Sequence, residues 1–311
     1  MDNFRSKLNC LQSCVYSISK KHNLADPLIF PATWNFLFDR DAPISSSLKF
    51  PLNDAHNSFL AEYEGMSTEV KLNDSTNGSS VIDSVIECIH NGMYVLACIS
   101  SFDCPWHRGY GELNVPHYIS LVDVSNDEKV FICEDPYFGL INQKMPFAHF
   151  CKYCKKVHFI SVGNNKKPID VKFVLREICR LTSIDQITQD MIRFSSSIHS
   201  VKTKEELFDN DVDLYFCSNT RTLKFIADSR YCLSYLFSYL NSISTLNMNL
   251  NDIANSFLKS HNEFNKINNF YMMLFYNDTG FQRKLNKIRD RMLYIVDIEN
   301  GIHSELVAKV V

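Results

Sequence analysis

Apolar residues in the first 165 positions predict a small sheet flanked by helices. Near-continuous apolar runs are typical of strands buried on both faces, and they occur at residues 93–99, 118–124, 129–133 and 156–162. Asn126-Asp127 supplies a turn between two of them, so residues 118–133 are predicted to form a β-hairpin. Periodic or capped stretches predict helices at residues 9–22, 81–90 and 146–153.

The second half of the chain has a different pattern. After residues 163–168, which combine glycine, asparagine, lysine and proline, no long alternation occurs. Helical periodicity dominates instead, at residues 169–181, 187–199, 219–241, 250–276 and 279–297. The sequence therefore predicts an α+β protein, with a mixed domain at 1–165 followed by an all-α domain at 166–311.

Two stretches of the first half show no periodicity. Residues 27–63 contain prolines and several aromatic residues, which predicts loops that pack on a core or line a cleft. Residues 73–80 consist of turn-forming residues that end in a helix N-cap.

Composition narrows the classes of function. The 311 residues carry a net charge of -3 and are 45% hydrophobic, so nothing at the level of the whole chain calls for nucleic acid. No apolar run reaches the roughly 18–20 residues of a membrane span. The 11 cysteines are irregularly spaced and no export signal precedes them, so we expect reduced thiols and a cytoplasmic protein.

The first predicted helix carries a candidate nucleophile. Cys10, Cys14, Ser17 and Ile18 fall at i, i+4, i+7 and i+8, on one face of the helix. A cysteine in the first helical turn lies where the helix dipole favours the thiolate, the form that attacks a carbonyl. Cys14 is a rival nucleophile, but it lies one turn deeper, where burial favours the neutral thiol.

Nucleophilic acyl transfer also needs an imidazole to carry the proton and a group that orients the imidazole. His117 begins one apolar run, and Asp135 follows the next, so an antiparallel pairing would place both at one edge of the sheet. Asp123 is a second candidate for the orienting acid if its strand is regular. The sequence thus predicts a catalytic site of Cys10, His117 and Asp135.

Local cysteine spacing suggests one alternative chemistry. Cys151 and Cys154, with His158 nearby, have the spacing of part of a zinc site. No second pair completes four ligands at a recognised spacing, so we predict no metal.

The order of these residues resembles the papain-like superfamily. Cys10 opening the first helix, Pro116-His117 before a strand, and Asp135-Pro136 with Gly139 after the next are similar to the motifs of bacteriocin-processing peptidases. The chain as a whole more closely resembles the family of butirosin biosynthesis protein H, acyltransferases with a papain-like N-terminal domain and a helical extension. The motifs cover roughly residues 5–165, including the segment between Ser100 and His117.

The resemblance implies an acyltransferase of natural-product biosynthesis. An acyl or aminoacyl group would arrive as a thioester on the phosphopantetheine arm of an acyl or peptidyl carrier protein. Cys10 would take the group and pass it to a small-molecule amine acceptor, with no cofactor bound by the protein itself and no membrane or nucleic acid involved. The helical domain would cover or complete the active site, and a homodimer is compatible with this arrangement.

The chain departs from the families that it resembles at three points. Leu11 replaces the glycine that follows the nucleophile in the peptidases, and positions 1–8 lack their glutamine, which helps to form the oxyanion hole. Asn9, Gln12 and the Cys10 backbone N–H are then the candidate oxyanion donors. Asn114 stands where the acyltransferase family often has a second histidine.

Three functions remain open from the sequence. The first is the carrier-protein-dependent acyltransferase, and the second is a cysteine hydrolase (peptidase, amidase or thioesterase) with the same triad. The third is a binding protein that retains a degenerate papain-like fold. The appended helices favour the first, because they suit a protein that shields a thioester from water.

Overall fold

The computed structural model describes residues 4–50, 58–72, 78–208, 213–215, 217–244, 249–277 and 279–310. The chain forms two compact units. One comprises Met1–Ile29 and Asp54–Pro168, and the other comprises Phe30–Asn53 and Ile169–Val311. The functional division into a catalytic domain at 1–165 and a helical domain at 166–311 stays a prediction.

The helices are α1 (Cys10–Lys21), α2 (Ser58–Glu64), α3 (Gly78–His90), α4 (Phe147–Tyr153), α5 (Val171–Leu181), α6 (Ile184–Ser200), α7 (Lys204–Phe208), α8 (Ser218–Ile243), α9 (Asn251–Tyr276) and α10 (Phe281–Val310). The strands are β1 (Leu37–Phe38), β2 (Leu48–Lys49), β3 (Met66–Leu72), β4 (Tyr94–Ser100), β5 (Pro116–Ser125), β6 (Val130–Asp135), β7 (Leu140–Pro146) and β8 (Lys156–Val162).

The first unit is built on a six-stranded antiparallel sheet with strand order β3-β8-β4-β5-β6-β7. Together with the C-terminal helices and the small β1–β2 pair, this confirms the α+β class predicted from the sequence. The apolar runs form the central strands β4, β5 and β8, whose side chains are largely buried on both faces.

Helices cover both faces of this sheet. Alternate residues of a strand point to opposite faces, and Ala97, Ile119 and Phe131 share a buried core with Val85 of α3 and Phe150 of α4. On the other face, α1 packs along β5, where the Cys14 thiol contacts the backbone of Tyr118. Helix α1 is therefore held against β5, the strand that carries His117.

Strands β3 and β7 were not predicted from the sequence. Both lie at edges of the sheet, and most of their side chains are at least partly exposed. An edge strand buries few side chains, so it shows neither the continuous apolar run nor the alternation used for prediction. Of the turn predicted at residues 73–80, residues 73–77 lie outside the described residues. Residues 78–80 belong to α3.

The second unit contains the predicted C-terminal helices and a buried ion pair among them. Arg230 on α8 donates from Nε to Glu299 Oε1 on α10 at 2.8 Å, and both side chains are fully buried. Trp34 Nε1 and Ser260 Oγ donate to the same carboxylate at 2.8 and 2.7 Å, and the Asn35 carbonyl accepts from Arg230. Residues 30–53, assigned to loops from the sequence, thus belong to the helical unit.

None of the helices in the described ranges is long and apolar enough to cross a membrane.

The Glu299 carboxylate should be essential for the stability of the helical unit. Replacing it (Glu299→Ala) leaves the buried Arg230 guanidinium unpaired, so we expect the free energy of unfolding to fall by about 3–5 kcal/mol. Urea unfolding followed by helical circular dichroism measures this change. Glu305→Ala is the matched control on the same helix, because Glu305 forms a partly exposed pair with Lys309 and its loss should cost at most about 0.5 kcal/mol. Equal effects of both substitutions would contradict the role given to the buried pair.

Candidate active site

The N-terminus of α1 presents Cys10 as its first residue. Asn9 is the N-cap, and it forms a reciprocal capping box with Gln12. The Gln12 backbone N–H donates to Asn9 Oδ1 at 2.9 Å, and the Asn9 backbone N–H donates to Gln12 Oε1 at 3.1 Å. Such a box fixes where the helix begins, so the position of the Cys10 thiol at the first turn is set by its two neighbours.

The adjacent strands β5 and β6 bring His117 and Asp135 together. His117 Nε2 lies 2.6 Å from Asp135 Oδ2, and both side chains are almost completely buried. The turn after β6 closes around the same carboxylate, because Phe138 N–H donates to Asp135 Oδ1 at 3.3 Å. Gly139 ends this turn at φ +69°, a conformation that disfavours residues with a side chain.

Cys10 completes the arrangement at the start of β5. Its Sγ lies 3.9 Å from the carbonyl oxygen of Pro116, the residue before His117. The Cys10 side chain is close enough to the His117 ring to raise its pKa. Since Asp135 occupies Nε2, Nδ1 is the ring nitrogen left for the thiol. The structure thus places Cys10 at the residue that precedes His117, and pairs His117 with Asp135.

Burial and hydrogen bonding act in opposite directions on the imidazole and the carboxylate. Burial lowers the pKa of His117, but the hydrogen bonds to Asp135 and Cys10 outweigh it and raise the pKa to about 9. Burial raises the pKa of Asp135, yet hydrogen bonds from His117, Trp106 and the Phe138 backbone bring it below its ordinary value. At neutral pH the pair is therefore an imidazolium and a carboxylate.

Cys14 and Asp123, the alternative nucleophile and the alternative orienting acid, lie in surroundings that do not suit these roles. Burial raises the pKa of Cys14 well above its ordinary value, and its Sγ contacts the Tyr118 carbonyl at 3.6 Å. Cys14 is thus held as a neutral thiol. Asp123 is exposed, lies beyond a bulge in the β5–β6 pairing, and accepts a hydrogen bond from the neighbouring Val124 N–H at 2.8 Å. The bulge breaks the alternation that would have placed Asp123 on the face of His117.

Two contacts of the site were not predicted. Trp106 Nε1 donates to Asp135 Oδ2 at 3.0 Å, the oxygen that also binds His117. His107 packs edge-on against His117, with ring centroids 4.7 Å apart, and against Phe138 at 5.0 Å. Burial, together with the charge of His117, lowers the pKa of His107 to about 4, so this second imidazole is neutral at pH 7.

A glycine shapes the loop that carries these two residues. A Cβ at Gly109 would lie 2.6 Å from Leu113 Cβ and 3.2 Å from His107 Nδ1, and the Gly109 backbone N–H donates to that nitrogen at 2.9 Å. The sequence did contain a signal for the roles of Trp106 and His107. The segment Pro105-Trp106-His107 lies between two strands and places an indole N–H and an imidazole shortly before the predicted catalytic histidine.

The cysteines near the C-terminal end of the first unit form no metal site in the structure. Cys154 is buried and its Sγ contacts the Lys156 carbonyl at 3.5 Å, while Cys151 is half-buried. Across the described residues, no group of three or more His, Cys, Asp or Glu side chains is placed to hold a metal ion.

This geometry suits nucleophilic attack by sulfur. A thiol next to a buried imidazole can lose its proton to Nδ1, and a carboxylate on Nε2 stabilises the resulting imidazolium. The imidazolium can later return the proton to a leaving group. The aromatic rings of Tyr137 and Phe138 lie beside the imidazole, with centroids 6.2 and 5.5 Å away, which restricts the access of water to it.

Neither models of known protein families nor curated proteins match this chain significantly.

The raised pKa of His117 predicts a specific loss of stability at alkaline pH. A folded-state pKa of about 9 against an ordinary value of 6.5 means that the imidazolium stabilises the fold fully below pH 6.5. That contribution is lost as the pH rises through about 9. We expect the stability difference between the wild type and His117→Gln to shrink over this window, as measured by urea unfolding at a series of pH values.

A nuclear magnetic resonance titration of the imidazole Cε1–H provides the direct check. The control is Asp135→Asn, which removes the charged partner and should lower the pKa of His117. A midpoint below 6.5 in the wild type would contradict the description of the pair.

Proposed function

We propose that the protein is a papain-like cysteine acyltransferase. It would move an acyl or aminoacyl group from a carrier-protein thioester, through an acyl-enzyme on Cys10, to an amine acceptor in natural-product biosynthesis. The observation that carries this proposal is the buried His117–Asp135 hydrogen bond, with the Cys10 Sγ at the carbonyl of Pro116, the residue before His117. Compared with apolar residues of similar volume, a buried charged pair gives a fold little net stability, whereas a cysteine nucleophile uses such a pair as its base and orienting acid.

Each residue has one role in the proposed reaction. The Cys10 thiolate, paired with the His117 imidazolium, attacks the thioester carbonyl, and the departing sulfur takes the proton from His117 Nδ1. The amine then attacks the Cys10 acyl-enzyme while His117 removes a proton from it, and Cys10 leaves as the thiolate. Asp135 keeps the ring oriented throughout, and Trp106 keeps the carboxylate oriented from its other side.

The substrate class rests on the sequence resemblance to the family of butirosin biosynthesis protein H. In this proposal the phosphopantetheine arm comes with an acyl or peptidyl carrier protein, the protein binds no cofactor, and the reaction takes place in the cytoplasm. The closed surroundings of the imidazole support transfer over hydrolysis, because water competes with the amine for the acyl-enzyme. Asp135 is completely buried, and His107, Tyr137 and Phe138 surround the ring.

The alternative is a cysteine hydrolase, a peptidase, amidase or thioesterase, with the same residues in the same roles. The specific observation in its favour is that all chemistry up to the acyl-enzyme is common to both enzymes, so the triad alone serves either. Only the second nucleophile differs, water in one case and an amine in the other.

Cys10 should be the only cysteine needed to form an acyl-enzyme. Exposure to an acyl-N-acetylcysteamine thioester, a short mimic of the phosphopantetheine arm, should add one acyl mass to the wild type and none to Cys10→Ala. Cys14→Ala is the matched control on the same helix and should retain acylation, because the pKa of Cys14 is raised by burial. Intact-mass spectrometry measures both. A stable adduct on Cys10→Ala would show that the nucleophile is another residue.

The partition of the acyl-enzyme should distinguish transfer from hydrolysis. With the acylated wild type, addition of small primary amines should speed loss of the acyl mass and yield amide in preference to free acid. Liquid chromatography with mass detection quantifies both products, and the unreacted thioester with amine but no enzyme is the control. Free acid alone, with every amine tested, would favour the hydrolase.

A further inference from the structure

Three buried polar atoms around Cys10 have no hydrogen-bond partner in the described part of the chain. They are Asn9 Nδ2, Gln12 Nε2 and Ser13 Oγ. Asn9 and Gln12 are each 3% exposed and Ser13 is 1% exposed. Leaving one such donor unsatisfied costs about 1–3 kcal/mol, and folded proteins rarely tolerate it. Three unsatisfied atoms in a single helical turn therefore indicate a group that this turn is built to bind.

The capping box fixes which atoms of the two amides are free. Backbone N–H groups can only donate, so the atoms bound to them must be the amide oxygens, Asn9 Oδ1 and Gln12 Oε1. The NH2 group of each amide is then the part left without a partner. Because both oxygens are held at the first turn of α1, the attached NH2 groups lie at that turn as well, on the residues that bracket Cys10 and Leu11.

Backbone donors are available at the same turn. The Gln12 N–H is satisfied by Asn9 Oδ1, and the Ser13 N–H donates to the Asn9 carbonyl at 2.8 Å. The Cys10 and Leu11 N–H groups make no hydrogen bond among the described residues, as expected at the start of a helix. The first turn contains no acidic residue. The free N–H groups of this first turn therefore attract a negative charge, and the dipole of α1 strengthens that attraction.

We propose that the NH2 groups of Asn9 and Gln12, with the Cys10 backbone N–H, form the oxyanion hole of the site. This inference rests on the proposed acyl transfer. When the Cys10 sulfur bonds to the thioester carbonyl carbon, the π electrons of the carbonyl move to its oxygen, which the three donors then hold. On collapse the C=O bond re-forms, the bond from carbon to the leaving sulfur breaks, and that sulfur takes the proton from His117.

A resident anion is a poorer occupant of this position. A permanent negative charge beside Cys10 would oppose formation of the thiolate, and Asp135 already places a carboxylate in the site. The oxygen of a tetrahedral intermediate carries its charge only after the sulfur has given up its own.

The test distinguishes loss of oxyanion stabilisation from loss of reactivity of the Cys10 thiol. Asn9→Ser keeps an N-cap oxygen and removes one NH2 group, and Asn9→Ser/Gln12→Met removes both NH2 groups without adding a charge beside Cys10. Acylation by acyl-N-acetylcysteamine should slow about 10²-fold in the single variant and more in the double variant. Alkylation of Cys10 by iodoacetamide should stay within about threefold of the wild type at its pH optimum, because that reaction forms no oxyanion.

The outcomes are distinguishable from one another. Acylation at the wild-type rate in the double variant, with Cys10 still the residue labelled, would overturn the donor assignment and leave the acyltransferase proposal intact. An equal fall in acylation and alkylation would also overturn it, since the amides would then position the thiol. A wild type in which Cys10 is neither acylated nor alkylated ahead of the other cysteines would overturn the proposed function and this inference together.

Discussion

The hydrogen bond between His117 and Asp135 is the constraint around which the first unit is arranged. Two ionised side chains without solvent exposure stabilise a fold only if each meets its partner at close range. The pairing of β5 with β6 supplies that closeness, and the Phe138 backbone N–H and the Trp106 indole each donate a further hydrogen bond to the carboxylate. Removing either partner would leave the other as an isolated charge in the interior.

The start of α1, which carries Cys10, is fixed by a second constraint. This start is set by two amides that accept hydrogen bonds from each other's backbone. The same amides keep their donor ends free, so the cap that defines the helix also defines the electrostatics beside the thiol. Asn9 and Gln12 therefore both fix the start of α1 and supply donors beside Cys10. A substitution at either residue changes the helix cap as well as the electrostatics of the site.

The sequence was most informative where burial is complete and the pattern is periodic. The helix predicted at residues 9–22 is Cys10–Lys21, and the run at 118–124 lies within Pro116–Ser125. The edge strand Leu140–Pro146 was missed, because exposed side chains leave no hydrophobic signal. The contact between Trp106 and Asp135 was missed because it joins an irregular loop to a strand end 29 residues away. Contacts of that kind follow from tertiary packing and not from local preference.

The place of Trp34 in the helical unit bears on the order in which the chain can fold. Its partner Glu299 lies 265 residues further along, so the first segment of this unit is synthesised long before the helix that completes it. Residues 54–168 leave the ribosome in between, and most of the contacts of the first unit are within reach by then. A nascent chain would thus hold Phe36 without Phe194 and Phe264, and Trp34 without Glu299, until the helices that carry those partners emerge. Contacts so distant in sequence slow folding, and exposed aromatic residues during that interval are natural binding sites for a chaperone.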